Sequence, residues 1–232
     1  YINRLLSKKF DPMNQEIHFG KYFDERVIEY PWILKNISKS SSKILDAGSV
    51  FNFKYLLDYL DLEKTDLFIS TLAPEKKSYT EKSISYIYED MREICYRDNY
   101  FDCIFCISTL EHVGMDNTLL YTDDSSKKEA IKDSYIEVIT ELRRVLKPKG
   151  KLFLTMPYGN NKNYGWLQTF DESMVDNIIS EFSPSSLKKD YFKYTHNLGG
   201  WQKYQSLDSS NIDYFDFNDF NRDFSSDRAI AA

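Results

Sequence analysis

The stretch SYIYEDMREICYRDNYFDCIFCISTLEHV, residues 85–113, decides the fold. It holds two β-type runs separated by a charged, turn-like interval. The second run, residues 100–108, is bracketed by Arg97, Asp98 and Asn99 before it and Thr109 after it, and its interior from Cys103 to Ile107 is only Cys, Ile and Phe. A half-wet strand alternates apolar with polar residues; a continuous apolar run is buried on both faces, as in a parallel sheet covered by helices. Ligands of such sheets sit beyond the carboxyl ends of the strands, where the crossovers leave a crevice. Those ends carry Asp90 and the run Ser108, Thr109, Leu110, Glu111, His112.

Upstream, KILDA at residues 43–47 predicts a first strand whose end, Asp46-Ala47-Gly48-Ser49, leads into a helical run at 52–60. Strand, acid, glycine turn and helix bring backbone N–H groups and a carboxylate to a polar cofactor. A nucleotide-type loop wants glycine where Val50 and Asn52 stand, so the turn alone equally fits an ordinary β-turn-α corner. Residues 67–71 and 84–89 predict two more strands, ending at Thr71 and Asp90; no acid stands at Ser70 or Thr71, although Glu75 follows in the loop. Downstream, the spacing predicts a helix over 125–146, closed by Lys147-Pro148-Lys149-Gly150, and then a strand over 151–156 stopped by Pro157. A helix over 171–182 capped by Asp171, a sixth strand over 187–195 and a seventh from Ala229 follow. The spacing over 23–37 predicts a helix that Pro31 kinks or restarts. The expected fold is α/β, a doubly wound, mostly parallel seven-stranded sheet with helices on both faces.

The 232 residues suit one domain: an N-terminal helical segment, 1–42, packed on a core at 43–232 that has insertions at 158–170 and 197–227. A net charge of -6 argues against nucleic acid, which wants a clustered basic face. No apolar run of about 18 residues offers a membrane span, and no secretory h-region opens the sequence. Three cysteines, Cys95, Cys103 and Cys106, leave an odd thiol and point to a reducing cytoplasm. Cys103 and Cys106 spell C-x-x-C, but positions three apart on a strand face opposite ways, so they read as two small core residues. The sequence starts at Tyr1 and stops at Ala232 within a strand-like run, which is expected of a segment fused to further domains.

Three pieces between residues 43 and 157 together resemble the class I S-adenosylmethionine-dependent methyltransferases: DMREICYRDNYFD, the strand-to-LEHV passage, and LRRVLKPKGKLFLTMP. The string STLEHVGMDNT, with LDAGS and STLAPE, resembles a bacterial, methyltransferase type 11-like branch associated with surface-glycan synthesis. The resemblance implies S-adenosylmethionine as cofactor, with Asp46, Gly48 and Ser49 at its amino-acid part, Asp90 and Met91 at adenine, and Ser108 and Thr109 at the methionine end. Thr71 would give one hydrogen bond at the ribose.

Methyl transfer is an in-line displacement, so the protein aligns the acceptor and removes a hydroxyl proton. His112 is the first candidate base and His196 the second. Glu111, Tyr158, Tyr164 and Trp166 are candidate acceptor contacts, the rings stacking on a sugar while Asn160, Asn161 and Asn163 bond its hydroxyls; loop turn chemistry explains the same asparagines. Glu111, His112 and Asp116 do not make a convergent metal set, so no metal is expected. Three readings compete. The first is a methyltransferase acting on a sugar or glycan oxygen; the second is a degenerate methyltransferase-fold module that scaffolds a glycan-assembly protein, favoured by Val50, Asn52 and the missing ribose acid. The third, a nicotinamide-dependent oxidoreductase, lacks its glycines and a placed Tyr-x-x-x-Lys.

Overall fold

The computed structural model describes residues 19–37, 43–60, 64–195, 197, 199–214 and 228–232. In chain order these form α1 (Arg26–Asn36), β1 (Lys43–Ala47), α2 (Lys54–Leu57), β2 (Asp66–Thr71), β3 (Ser85–Tyr88), β4 (Phe101–Ile107), α3 (Tyr135–Val145), β5 (Leu146–Tyr158), α4 (Glu172–Phe182), β6 (Tyr191–Thr195), β7 (Gly200–Tyr204) and β8 (Arg228–Ala231). The strands make one sheet in the order β3-β2-β1-β4-β5-β8-β6-β7. β1 pairs in parallel with both β2 and β4, so the winding reverses between β1 and β4 and opens a crevice at their carboxyl ends. β8, β6 and β7 add the antiparallel part.

β4 lies inside the sheet, and Cys103, Ile104, Phe105, Cys106 and Ile107 are all fully buried. Its residues alternate between two cores. Cys103, Phe105 and Ile107 join α1 and α2, through Ile28, Ile33, Leu56 and Leu57. Ile104 and Cys106 join α3 and α4, through Ile139, Leu142, Met174 and Ile178. Helices therefore cover both faces, and the two cysteines of the C-x-x-C point apart.

Several boundaries differ from expectation. The sheet has eight strands where seven are predicted, because Gly200–Tyr204 pairs with β6 as an outer strand. That strand also fastens the N-terminal segment: Trp201 donates its backbone N–H to Phe19 O at 2.7 Å and its indole N–H to Phe23 O at 3.1 Å. α3 begins at Tyr135, not at residue 125. Residues 114–131 are pinned back on themselves by Glu129 N–H to Met115 O and Ile131 N–H to Gly114 O, which leaves Ile131 exposed. The helix predicted at 52–60 is the four-residue α2. Pro157 does not stop β5, which runs to Tyr158. α3 ends at Val145, just ahead of Lys147-Pro148-Lys149-Gly150 as expected, and because Phe101 pairs with Leu146 and Cys103 with Lys151 those four residues bulge from β5. α1 carries Pro31 in its interior. Asp171 caps α4 by accepting from Met174 N–H, as expected.

Candidate active site

The β1 turn is built on Asp46. Its buried carboxylate accepts from the backbone N–H groups of Phe51 at 2.7 Å and Val50 at 3.1 Å, tying the turn to the strand end. Burial pushes this carboxyl up to about 7, against the pull of those two bonds. Gly48 (φ 113°) and Ser49 (φ 62°) both take left-handed backbone, and Ser49 Oγ is buried with no hydrogen-bond partner among the described residues. Val50 and Asn52, where glycines were wanted, turn away from the crevice. Val50 packs into the core cluster that also holds Phe51, while Asn52 donates to Lys77 O at 2.9 Å and accepts from Tyr86 Oη at 2.8 Å.

A cleft opens beside this turn at the strand ends. Gly48, Thr71, Asp90, Met91, Thr109 and His112, all singled out in the sequence, line it. So do Leu72, Glu89 and Arg92, which were not. Glu89 brings a carboxylate to the end of β2. It comes from the end of the neighbouring β3, accepts from Ser70 Oγ and from Cys95 N–H at 2.9 Å each, and so stands where a carboxylate on β2 would reach. Glu75 is exposed. Asp90 accepts from Arg92 N–H and is gripped by the Arg92 guanidinium at 3.0 and 2.7 Å; Arg92 also reaches Glu129 at 2.8 Å. Burial pushes the Asp90 carboxyl up, but the Arg92 bonds more than offset it and leave it below the usual range.

The other half of the crevice lies at the ends of β4 and β5. Ser108 has φ 41° and donates its hydroxyl to Glu29 Oε1, the same oxygen that accepts from Thr155 Oγ1. Glu29 is fully buried and its second oxygen pairs with Arg26. Burial pushes its carboxyl up, and Arg26 draws it down. Sequence reading missed Glu29 and Thr155. The available signal was that Glu29 stands three and four residues before Trp32 and Ile33, on the buried face of α1, where an acid must find partners.

His112 donates Nδ1–H to Trp166 O at 2.8 Å; a carbonyl only accepts, so Nε2 carries the lone pair. The Trp166 ring stacks on the imidazole at 5.4 Å and Tyr121 meets it edge-on at 5.7 Å. Burial pushes the imidazole down to about 4, so the ring is neutral at pH 7. Glu111, also buried, places Oε1 3.9 Å from His112 Nε2, and its Oε2 has no partner among the described residues.

The acceptor loop departs from expectation. Tyr158 is fully buried and donates its hydroxyl to Leu207 O, so it belongs to the core and not to a binding surface. Asn160, Asn161 and Asn163 are engaged by Asp213, Thr169 O and Gly165 N–H, which is turn chemistry. Tyr164 carries Lys162 over its ring at 4.8 Å, and the Trp166 ring serves His112. His196 lies outside the described residues. Among the described residues no group of three or more His, Cys, Asp or Glu is arranged to hold a metal ion. No described helix is long and apolar enough to cross a membrane.

Residues 45–154 match the family described as "Methyltransferase domain". An S-adenosylmethionine-dependent methyltransferase from Archaeoglobus fulgidus superposes with a TM-score of 0.56 at 12% identity, over 90% of this chain and 94% of that one. The fold is that of the class I methyltransferases. A methyltransferase from Burkholderia thailandensis, the 1,6-didemethyltoxoflavin-N1-methyltransferase bound to 1,6-didemethyltoxoflavin and S-adenosylhomocysteine, aligns with a TM-score of 0.49 at 12% identity over 70% of this chain and 68% of that one. In sequence, an uncharacterized protein of Methanocaldococcus jannaschii is 28% identical over 137 residues, 58% of this chain and 50% of the relative. The chain thus spans about half the length of the curated relative it matches.

Proposed function

We propose that this chain is an S-adenosylmethionine-dependent methyltransferase whose acceptor is a hydroxyl of a sugar or surface glycan. The observation that carries the reading is the cleft at the strand ends, where the Gly48 turn, Glu89 and Asp90 line up along the methyltransferase domain. The residues fit the cofactor: Gly48 lines the cleft without a side chain, and Ser49 Oγ beside it is a buried polar atom with no partner among the described residues. Gly48 and Ser49 would hold the amino-acid end, Thr71 and Glu89 the ribose hydroxyls, and Asp90 with Met91 and Leu72 the adenine. Bound there, S-adenosylmethionine supplies an electrophilic methyl carbon on a positively charged sulfur. Thr109 and Ser108 border that end, and neutral His112 presents Nε2 as the base for the acceptor hydroxyl. Trp166 holds the ring by its carbonyl and its face.

The degenerate-module reading rested on Val50, Asn52 and a missing acid. Neither side chain lines the cleft, and Glu89 stands where the acid was wanted. The glycan acceptor is supported by the STLEHVGMDNT resemblance and by a base suited to hydroxyls; a cytoplasmic site of action and fusion to further domains belong to the same proposal. Isothermal titration with S-adenosylhomocysteine tests it. Saturable heat is the expected result, and none at millimolar ligand removes the reading.

A further inference from the structure

Methyl transfer to a hydroxyl releases a proton inside the crevice, and the proton needs a final holder. Resting on the methyltransferase reading above, we infer that this holder is Glu111, which receives the acceptor's proton through His112 Nε2.

The geometry leaves few other routes. His112 Nδ1 is committed to Trp166 O, so one nitrogen, Nε2, must both take the proton and give it up. Glu111 Oε1 is 3.9 Å from that nitrogen, a gap that a small side-chain rotation or one bridging water closes. Glu111 Oε2 is buried without a partner among the described residues, which is a costly state for a carboxyl group with no task. His112 lines the cleft and Glu111 does not, so the imidazole is the group that meets the acceptor and Glu111 is reached only through it.

Charge favours the same end point. Arg26, Glu29 and Glu25 of the α1 segment act on Glu111, which in turn acts on Tyr121, Tyr214 and Cys106. An imidazolium left near Arg26 would add a second positive charge there, whereas a proton on Glu111 removes one of three neighbouring negative charges. The balance closes: the acceptor oxygen bonds the methyl carbon, the carbon–sulfur electron pair stays on sulfur, and the hydroxyl proton passes to Nε2 and on to Glu111. One positive and one negative charge disappear together and the imidazole is restored. Burial pushes Glu111 well above the usual carboxylate range and pushes His112 down to about 4, which is the order such a transfer needs.

The test is a pH titration by carbon-13 NMR of the full chain saturated with S-adenosylhomocysteine, labelled at the histidine imidazoles and the glutamate δ-carbons. Glu111 is expected to titrate at least one pH unit above His112. If His112 becomes imidazolium at a higher pH than the one at which Glu111 ionises, the inference is overturned. A Glu111→Gln variant assigns the resonance. The parent titration decides the question even if that variant fails to fold. Absence of S-adenosylhomocysteine binding by the parent would instead strike the methyltransferase reading itself.

Discussion

A Cβ atom placed on Gly48 would lie 2.2 Å from Thr109 Oγ1, so the β1 turn and the end of β4 meet through a bare backbone. The neighbour is a hydroxyl that donates to Ile107 O, and the φ of 113° is left-handed, so neither side yields cheaply. Gly48→Ala is expected to lower stability by about 2 kcal/mol or more and to weaken S-adenosylhomocysteine binding at least tenfold. Thermal unfolding and calorimetry read the two effects; unchanged values would show that the turn relaxes freely.

The imidazole of His112 links folding to pH. His112 has its proton affinity lowered from 6.5 to about 4 in the folded chain, so between those values the unfolded state binds more protons. Its contribution is therefore complete above about pH 6.5 and is lost as pH falls toward 4, on the order of 3 kcal/mol at most. Asp46 acts oppositely: raised from 3.8 to about 7, it withdraws stability as pH rises between those values. Urea unfolding of His112→Asn and Asp46→Asn against the parent from pH 4 to 8 separates the slopes. A parallel parent and His112→Asn profile would contradict the first.

Glu29 joins α1 to two strands with one carboxyl group. Glu29→Gln places an amide among two hydroxyl donors and the Arg26 guanidinium, leaving donors facing donors. A loss of about 3 kcal/mol in urea unfolding is expected. A loss below about 1 kcal/mol would mean that the network re-forms around the amide.

Asp90 and Arg92 separate recognition from support. Asp90→Ala removes the acceptor facing adenine in the proposed pose, so S-adenosylhomocysteine affinity should fall about tenfold. Arg92→Ala keeps the carboxylate and its backbone bond to residue 92, so a smaller loss is expected. Equal affinities for parent and Asp90→Ala would take the adenine role from Asp90.

What could be read ahead of the coordinates was whatever local pattern determines. The apolar run of β4 carries its own burial, and its period of two already separates Cys103 from Cys106. The Asp46 turn, Thr71, Asp90, Thr109 and His112 follow from where strands end. Long-range partners left no such mark. Glu29 meets Ser108 and Thr155 across 79 and 126 residues, and Glu89 meets Ser70 of another strand across 19. The start of α3 was misplaced because Ala130 and Ile131 keep helical spacing in a segment that tertiary bonds hold as a loop. Tyr158 was assigned to the acceptor because β5 was ended too early, at Pro157.

Cys95 is exposed while Cys103 and Cys106 are sealed inside β4, where burial pushes the Cys103 thiol up to about 12 and the Cys106 thiol higher still. Cys95 is thus the one exposed thiol of the three, although burial and Glu89 push its thiol up. The backbone N–H of that residue rests on Glu89, which lines the cleft, so a dye attached there would report ligand entry from the rim without any engineered cysteine.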